Sequence, residues 1–407
     1  MTKFWKCVRE NWGVGIFAID TVAALATLFL RVTGHYINYT APALYLWRGA
    51  DPYGITFPGS PGAFFYSPGC ALYFYGLFAF LPPILGQFLY MAFSAAVYIV
   101  GLRMLLATLT ERRIFDLRTS PYRNLFWFMI ASEVLGGIIA VKIDVLMVGG
   151  AFVCVACLIQ KRRALPALFA MGILTSFKIH PISLFGLLLI PYFLDRKWKE
   201  PLSYASGVVL GLLSPLLVFS PAMSWHLTHQ WLGTLREFTT YQWLAPIFQH
   251  IYGFLFRAFG WPMNVGITSA ITAVFGLSFA VLVAWFYRRE NRVSPDSALG
   301  WTLLLALGLG STFTAVFSQL IQSNSYVVYT PLVLGLIAGA HRANWPRAKT
   351  ATLLVTCFIV ISLAYSDFNP RRFYWLVYGW GIKPLGVIAM ATAFLFALLP
   401  QRKTSAP

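Results

Sequence analysis

Three short polar groups interrupt an otherwise apolar chain, and each carries side chains able to handle a charged substrate. The first is Gly34 to Pro68, GHYINYTAPALYLWRGADPYGITFPGSPGAFFYSP, which holds His35, Asn38, Arg48, Asp51, Tyr53 and Tyr66. The second is Lys142-Ile143-Asp144, and the third is Lys178-Ile179-His180-Pro181. An imidazole titrates near neutrality, and a lysine ammonium is a compact point charge suited to phosphate. Two lysines at separate joints, helped by Arg257, could hold the phosphate of a lipid-linked substrate. Each motif also has a plainer reading. Asp51-Pro52-Tyr53 could be only a turn, Lys142 and Asp144 a self-satisfied ion pair, and Lys178 a lysine snorkelling to a membrane surface.

The elements that position these groups are membrane spans. Of 407 residues, 58% are hydrophobic and 11% charged, against about 25% charged in a soluble domain. Blocks of Leu, Val, Ala, Phe and Gly recur from end to end, without the alternation of barrel strands, so the sequence predicts an all-α polytopic bundle. The net charge of +18 then reads as a positive-inside bias rather than as nucleic-acid binding. Basic joints (Lys161 to Arg163; Arg196, Lys197 and Lys199; Arg288, Arg289 and Arg292; Arg342, Arg347 and Lys349) mark the cytoplasmic side. The run 69–84 is expected to dip into the outer interface rather than cross, because crossing would place Arg112, Arg113, Arg118 and Arg123 outside. The result is a single domain over 1–407 with about twelve spans, both termini cytoplasmic and outer loops at 34–84 and 221–262. Membrane lipids are its surroundings.

This topology sends most polar side chains to the outer face. His35, Asn38, Arg48, Asp51, Lys142, Asp144, Lys178, His180, His226, His229, Gln249, His250, Arg257, Gln322, Asn324, Asp367, Arg371 and Arg372 all fall there. A site working on polar substrates needs that enrichment; a structural protein does not. Cys154 and Cys157 lie in an apolar run and read as core residues. No D-x-D pair and no H-x-x-x-H spacing asks for a metal, and His226 with His229 lacks further ligands.

The order of the motifs resembles glycosyltransferase family 87. It carries Y-x5-Y-x-x-x-G-x-DPY (Tyr39, Tyr45, Gly49, Asp51 to Tyr53), F-x-Y-x-P (Phe64, Tyr66, Pro68) and K-x-x-P (Lys178, Pro181). FQHIYGFLFR (Phe248 to Arg257) is similar to the family's NQSL…R stretch, and SQLIQSNSYVVYTP (Ser318 to Pro331) to its SP-x-SW-x-HHY stretch. The chain departs from the pattern at three places. His35 stands where the family has Asp, Val141-Lys142 where it has Gly-Gln, and Asn324-Ser325 where it has a histidine pair.

The resemblance implies a GT-C fold and an enzyme that transfers a hexose, by default mannose, from a polyprenyl-phosphate sugar. The acceptor would be a glycolipid or a polysaccharide, the membrane a bacterial inner membrane, and the site periplasmic. Direct displacement with inversion needs a base at the acceptor and cations at the leaving phosphate. His35, Asp51 and Asp144 are the candidate bases. Lys142, Lys178 and Arg257 are the candidate phosphate holders, and Asn38, Tyr53, Tyr66, His180, Gln249, His250, Gln322 and Asn324 the substrate contacts. No cofactor is implied. Asp20 and Glu133, acids within spans, support a second class, a proton-coupled transporter or lipid-linked sugar flippase. The missing Asp supports a third, a catalytically inactive partner in glycan assembly.

Overall fold

The structure, a computed structural model, describes residues 2–60, 64–178, 182–241, 249–261, 264–318, 322–362, 379 and 381–399. The regular elements among them are helical, with no strand. That follows from the composition, because in hydrocarbon a segment must satisfy its own backbone N–H and C=O groups. Among the described residues four helices are long and apolar enough to cross a membrane: Pro83–Glu111, Lys199–Leu217, Val265–Val293 and Pro295–Phe317.

In chain order, α1 (Thr2–Thr27) is followed by α2 (Gly34–Trp47), a π-helical turn (Cys70–Tyr75) and α3 (Gly76–Ala79). Then come α4 (Pro83–Glu111), α5 (Arg123–Ile139), α6 (Asp144–Gln160) and α7 (Ala164–Phe177). Next are α8 (Ile182–Gly186), α9 (Ile190–Leu194), α10 (Lys199–Leu213), α11 (Pro221–Tyr241) and α12 (Ile251–Phe259). The described chain closes with α13 (Val265–Val293), α14 (Pro295–Phe317), a 3₁₀ turn (Ser323–Tyr329), α15 (Thr330–Arg342), α16 (Arg347–Ser362) and α17 (Lys383–Leu398).

Side-chain contacts collect the basic joints at one end of the bundle. Arg342 pairs with Glu290 at 2.7 Å and lies over Trp301, Tyr287 donates to Asp195 at 2.9 Å, and Phe115 meets His341 edge-on at 5.7 Å. Gln160 donates to Thr108 there. The joint 140–144, Lys178 and the described residues of 31–82 lie at the other end, called here the polar end. Two parallel helix pairs hold the bundle through backbone approach. A Cβ at Gly149 would lie 2.5 Å from the Tyr98 Cα on α4, and one at Gly172 of α7 would lie 2.1 Å from the Tyr204 carbonyl oxygen on α10. Small residues at helix crossings give van der Waals contact where burial from water gives little.

The stretch 34–68, expected as a loop, contains a helix. Thr33 caps α2 by accepting the Tyr36 N–H at 3.3 Å. Gln87 receives the Thr33 N–H at 2.8 Å and donates to the Leu28 and Arg31 carbonyls in the link between α1 and α2. The run 69–84 is broken at Leu81-Pro82, so its helical part, Cys70–Ala79, spans about 15 Å, half of a hydrocarbon core. It does not cross. Trp47 donates to the Leu72 carbonyl at 3.1 Å and Tyr36 to the Phe78 carbonyl at 2.9 Å, which fastens it against α2.

Candidate active site at the polar end

Two tight joints build the charged centre. Between α5 and α6, Val141 takes φ 54°, and the Lys142 N–H bonds back to the Gly137 carbonyl at 2.8 Å. This is a helix ending that favours glycine, and a side chain in the left-handed region costs roughly 1–2 kcal/mol. The turn sends Lys142 inward, where it is 5% exposed and donates to the Gln322 side-chain oxygen. It also sets Asp144 in the first turn of α6, where the helix dipole favours a carboxylate. At the end of α7, Lys178 leaves the helix in extended conformation, and its ammonium reaches both Asp144 oxygens, at 2.9 and 3.1 Å. Two ammonium groups therefore face one buried carboxylate.

The first polar stretch forms the wall of this centre. The Ser67 N–H donates to the Phe177 carbonyl at 3.2 Å, beside Lys178. The Lys178 ammonium lies 5.9 Å over the Tyr66 ring. Tyr66 meets Tyr39 edge-on at 5.2 Å, and Tyr39 stacks on Tyr75 at 4.7 Å. Tyr53 donates its hydroxyl to the Tyr66 carbonyl at 2.8 Å, so the D-P-Y turn positions Tyr66 from behind. Burial holds the Tyr39 and Tyr66 phenols well above their ordinary pKa, so their rings remain neutral.

Electrostatics follow from that crowding. Burial first, and the like charge of Lys178 second, pull the Lys142 pKa down to about 7, with Asp144 opposing. Burial, then the Lys142 charge, lowers His35 to about 4. His35 is therefore a neutral imidazole at physiological pH and lies within electrostatic reach of Lys142.

The sequence-derived candidates divide. His35, Lys142, Asp144, Lys178, Tyr66 and Gln322 come together. Asp51 is committed elsewhere: one oxygen accepts the Tyr53 N–H at 2.9 Å, and the other pairs with His226 on α11 at 2.9 Å. Asn38 is buried and accepts from Ser60 at 2.8 Å. His250 caps α12, its Nδ1 accepting the Gly253 N–H at 3.0 Å. The Gln249 carbonyl accepts from Tyr326, and a Cβ at Gly381 (φ 69°) would fall 2.0 Å from the Arg257 guanidinium. Tyr326 thus joins the 249–257 segment to the turn that follows Gln322. Asn324 lies on that 3₁₀ turn. His180, Asp367, Arg371 and Arg372 lie outside the described residues.

Two partnerships were not legible beforehand. Tyr75, in an apolar run, joins Tyr39 and Tyr66 through ring stacking that no spacing announces. His226, weighed with His229 as a metal ligand, binds Asp51 instead, and no cluster of three ligating side chains occurs among the described residues. Glu133, the buried acid that suggests a transporter, accepts from Ser362 at 2.9 Å with the Lys383 ammonium 4.0 Å away. Cys154 and Cys157 are free thiols buried in α6.

The comparisons with known proteins give one match. A family model described as glycosyltransferase family 87 covers residues 64–313, which includes Tyr66, Lys142, Asp144, Lys178, Gln249, His250 and Arg257. The residues before Phe64, with His35 and Asp51, and those after Phe313, with Gln322, fall outside the matched region. No curated protein and no solved structure matches the chain.

Proposed function

The chain belongs to glycosyltransferase family 87, and from that premise we propose that it moves a hexose from a polyprenyl-phosphate sugar to a lipid or glycan acceptor at the polar end of the bundle. Mannose and inversion are what the family resemblance implies. The polar end faces outward in this reading, because the basic joints gather at the opposite end and mark the cytoplasmic side. Twelve crossings fit the alternation of joints, with α8 and α9 forming one crossing and the 3₁₀ turn extending α15.

The observation that carries the reading is the pair of ammonium groups, Lys142 and Lys178, around the single carboxylate of Asp144. Buried positive charge in excess suits a phosphodiester, whose leaving phosphate gains charge as the glycosidic bond breaks. In the reaction the acceptor hydroxyl oxygen bonds to the anomeric carbon while the bond from that carbon to the phosphate oxygen breaks. The hydroxyl proton passes to His35, and polyprenyl phosphate leaves against the lysines. His35 fits as base because it is neutral before reaction, and the incoming phosphate offsets the Lys142 charge that weakens it. Asp144 is held by Lys178 at both oxygens and serves as the charge partner. Asp51, bound to His226 and to its own turn, positions α11 over the first polar stretch. Tyr39 and Tyr66 supply an aromatic wall for the sugar.

Purified protein in proteoliposomes, given radiolabelled polyprenyl-phosphate mannose and a membrane lipid extract, tests this. Label moves to a new product with the wild type, and His35→Ala lowers the rate by about 10²–10⁴. Equal transfer by both proteins removes His35 from the chemistry. Absence of transfer by the wild type, with the lysine centre intact, refutes the donor class.

A further inference from the structure

A second charged site lies at the basic end, at the opposite end of the bundle from the lysine centre. A cavity of about 330 Å³ opens between α1, α4, α5 and the joint 116–121. Arg103, Arg118 and Arg123 line it, with a single acid, Asp116. Its apolar wall is Val14, Leu106 and Trp127. It adjoins a second space of about 410 Å³ that shares Arg118 and Arg123 and adds Glu10.

The arginines are not matched by acids. Arg123 is tied to the Glu10 carbonyl and the Asn11 side chain. One Asp116 oxygen, Oδ1, accepts the backbone N–H of Arg118 at 2.9 Å and lies 3.4 Å from the Thr110 hydroxyl, so a single carboxylate stands among three arginines. Among the described residues no carboxylate lies within ion-pair distance of the Arg103 or Arg118 guanidinium. Arg103 stands roughly 12 Å inside the end of α4, at about 1.5 Å per residue. Arg103 is exposed on α4 and long enough to reach toward the basic end, where an anion in the cavity would meet its guanidinium. Guanidinium groups beside an apolar wall fit a phosphoryl group that carries hydrocarbon.

We propose that this cavity binds a phosphoryl anion, the headgroup of an acidic phospholipid of the inner leaflet, with its acyl chain along Val14 and Leu106. The site is separate from sugar transfer, and its occupancy does not depend on that activity.

The test uses full-length protein in nanodiscs of equal phosphatidylglycerol and phosphatidylcholine, with retained lipid read by native mass spectrometry after detergent extraction. The wild type keeps phosphatidylglycerol in preference. Arg118→Gln, an exposed position that leaves folding alone, lowers that preference about fivefold, and Arg103→Gln with Arg118→Gln lowers it further. Millimolar inorganic phosphate that displaces the lipid points to the free anion as the natural occupant; lipid retained against it points to the headgroup. A preference unchanged in Arg118→Gln and in the double variant, both eluting as folded protein, overturns the proposal.

Discussion

Donor binding should fall steeply as pH rises, and Lys142 is the reason. Its folded pKa is about 7, because burial and Lys178 outweigh Asp144. If the phosphodiester binds only the ammonium form, the competent fraction is about nine-tenths at pH 6 and about one-hundredth at pH 9, so the apparent Kd weakens roughly 90-fold across that range. A phosphodiester keeps one negative charge throughout, and His35, at about 4, does not titrate in this window. The slope therefore reports the lysine. The measurement is calorimetry with a short-chain isoprenyl phosphosugar on detergent-solubilised protein, buffered at each pH. Lys142→Met should bind weakly and without pH dependence. Lys142→Arg should bind well and equally without pH dependence, since a guanidinium does not deprotonate in proteins. Wild-type affinity that stays constant from pH 6 to pH 9, or a Lys142→Met variant that keeps the wild-type slope, would refute the assignment of the phosphate to this lysine.

Asp144→Asn should destabilise the folded protein by about 3 kcal/mol in a detergent unfolding titration, since it leaves two lysines buried without their carboxylate. The pH dependence has a definite sign. Lys142 folds with a pKa near 7, below the unfolded value of 10.5, so wild-type stability rises with pH between them as the unfolded chain loses its extra proton. Asp144→Asn removes the opposing charge and should extend that rise to lower pH; an unshifted profile would separate Lys142 from Asp144. Asp51→Asn should cost less than about 1 kcal/mol, because its partner His226 is half exposed, and a larger loss would give the pair a role beyond surface attachment. Val141→Gly should lower stability by about 1 kcal/mol in the same titration, because relief of the strain at φ 54° is outweighed by the loss of a fully buried side chain; a stabilised variant would show that strain dominates at this joint.

Much of the architecture was legible because membrane helices obey local rules. Apolar run length marked the segments, and Lys/Arg joints marked the ends that Arg342, Glu290, Tyr287 and Asp195 bring together in space. The helical state of Gly34–Trp47 was not read, because its cap is completed by Gln87, far along the chain. The same limit applies to the site. Lys178 with Asp144 and Lys142 with Gln322 are contacts across 34 and 180 residues. Spacing places such residues on one face and says nothing about which of them touch. Asp51 shows the consequence. Its motif is among the more specific in the chain, yet its carboxylate is held by α11 and not by the lysine centre.

The departures from the family pattern acquire a physical meaning once they are placed. Histidine for aspartate at position 35 removes a negative charge, and lysine for glutamine at position 142 adds a positive one. Both changes act on the same centre, since Lys142 is the charge that His35 feels. They push it in one direction, toward excess positive charge held in a buried place. An aspartate at position 35 would have stabilised a charged Lys142; the neutral imidazole leaves Asp144 alone to do so, and it is shared with Lys178. The depressed pKa of Lys142 comes from burial first and Lys178 second, with Asp144 opposing. A degenerate site would be expected to lose charge and fill with apolar side chains, because an unsatisfied buried ammonium is costly. This one concentrates charge, and strains the backbone at Val141 to do it. The proposed phosphate site accords with that arrangement, since an anion bound there would offset the charges of Lys142 and Lys178.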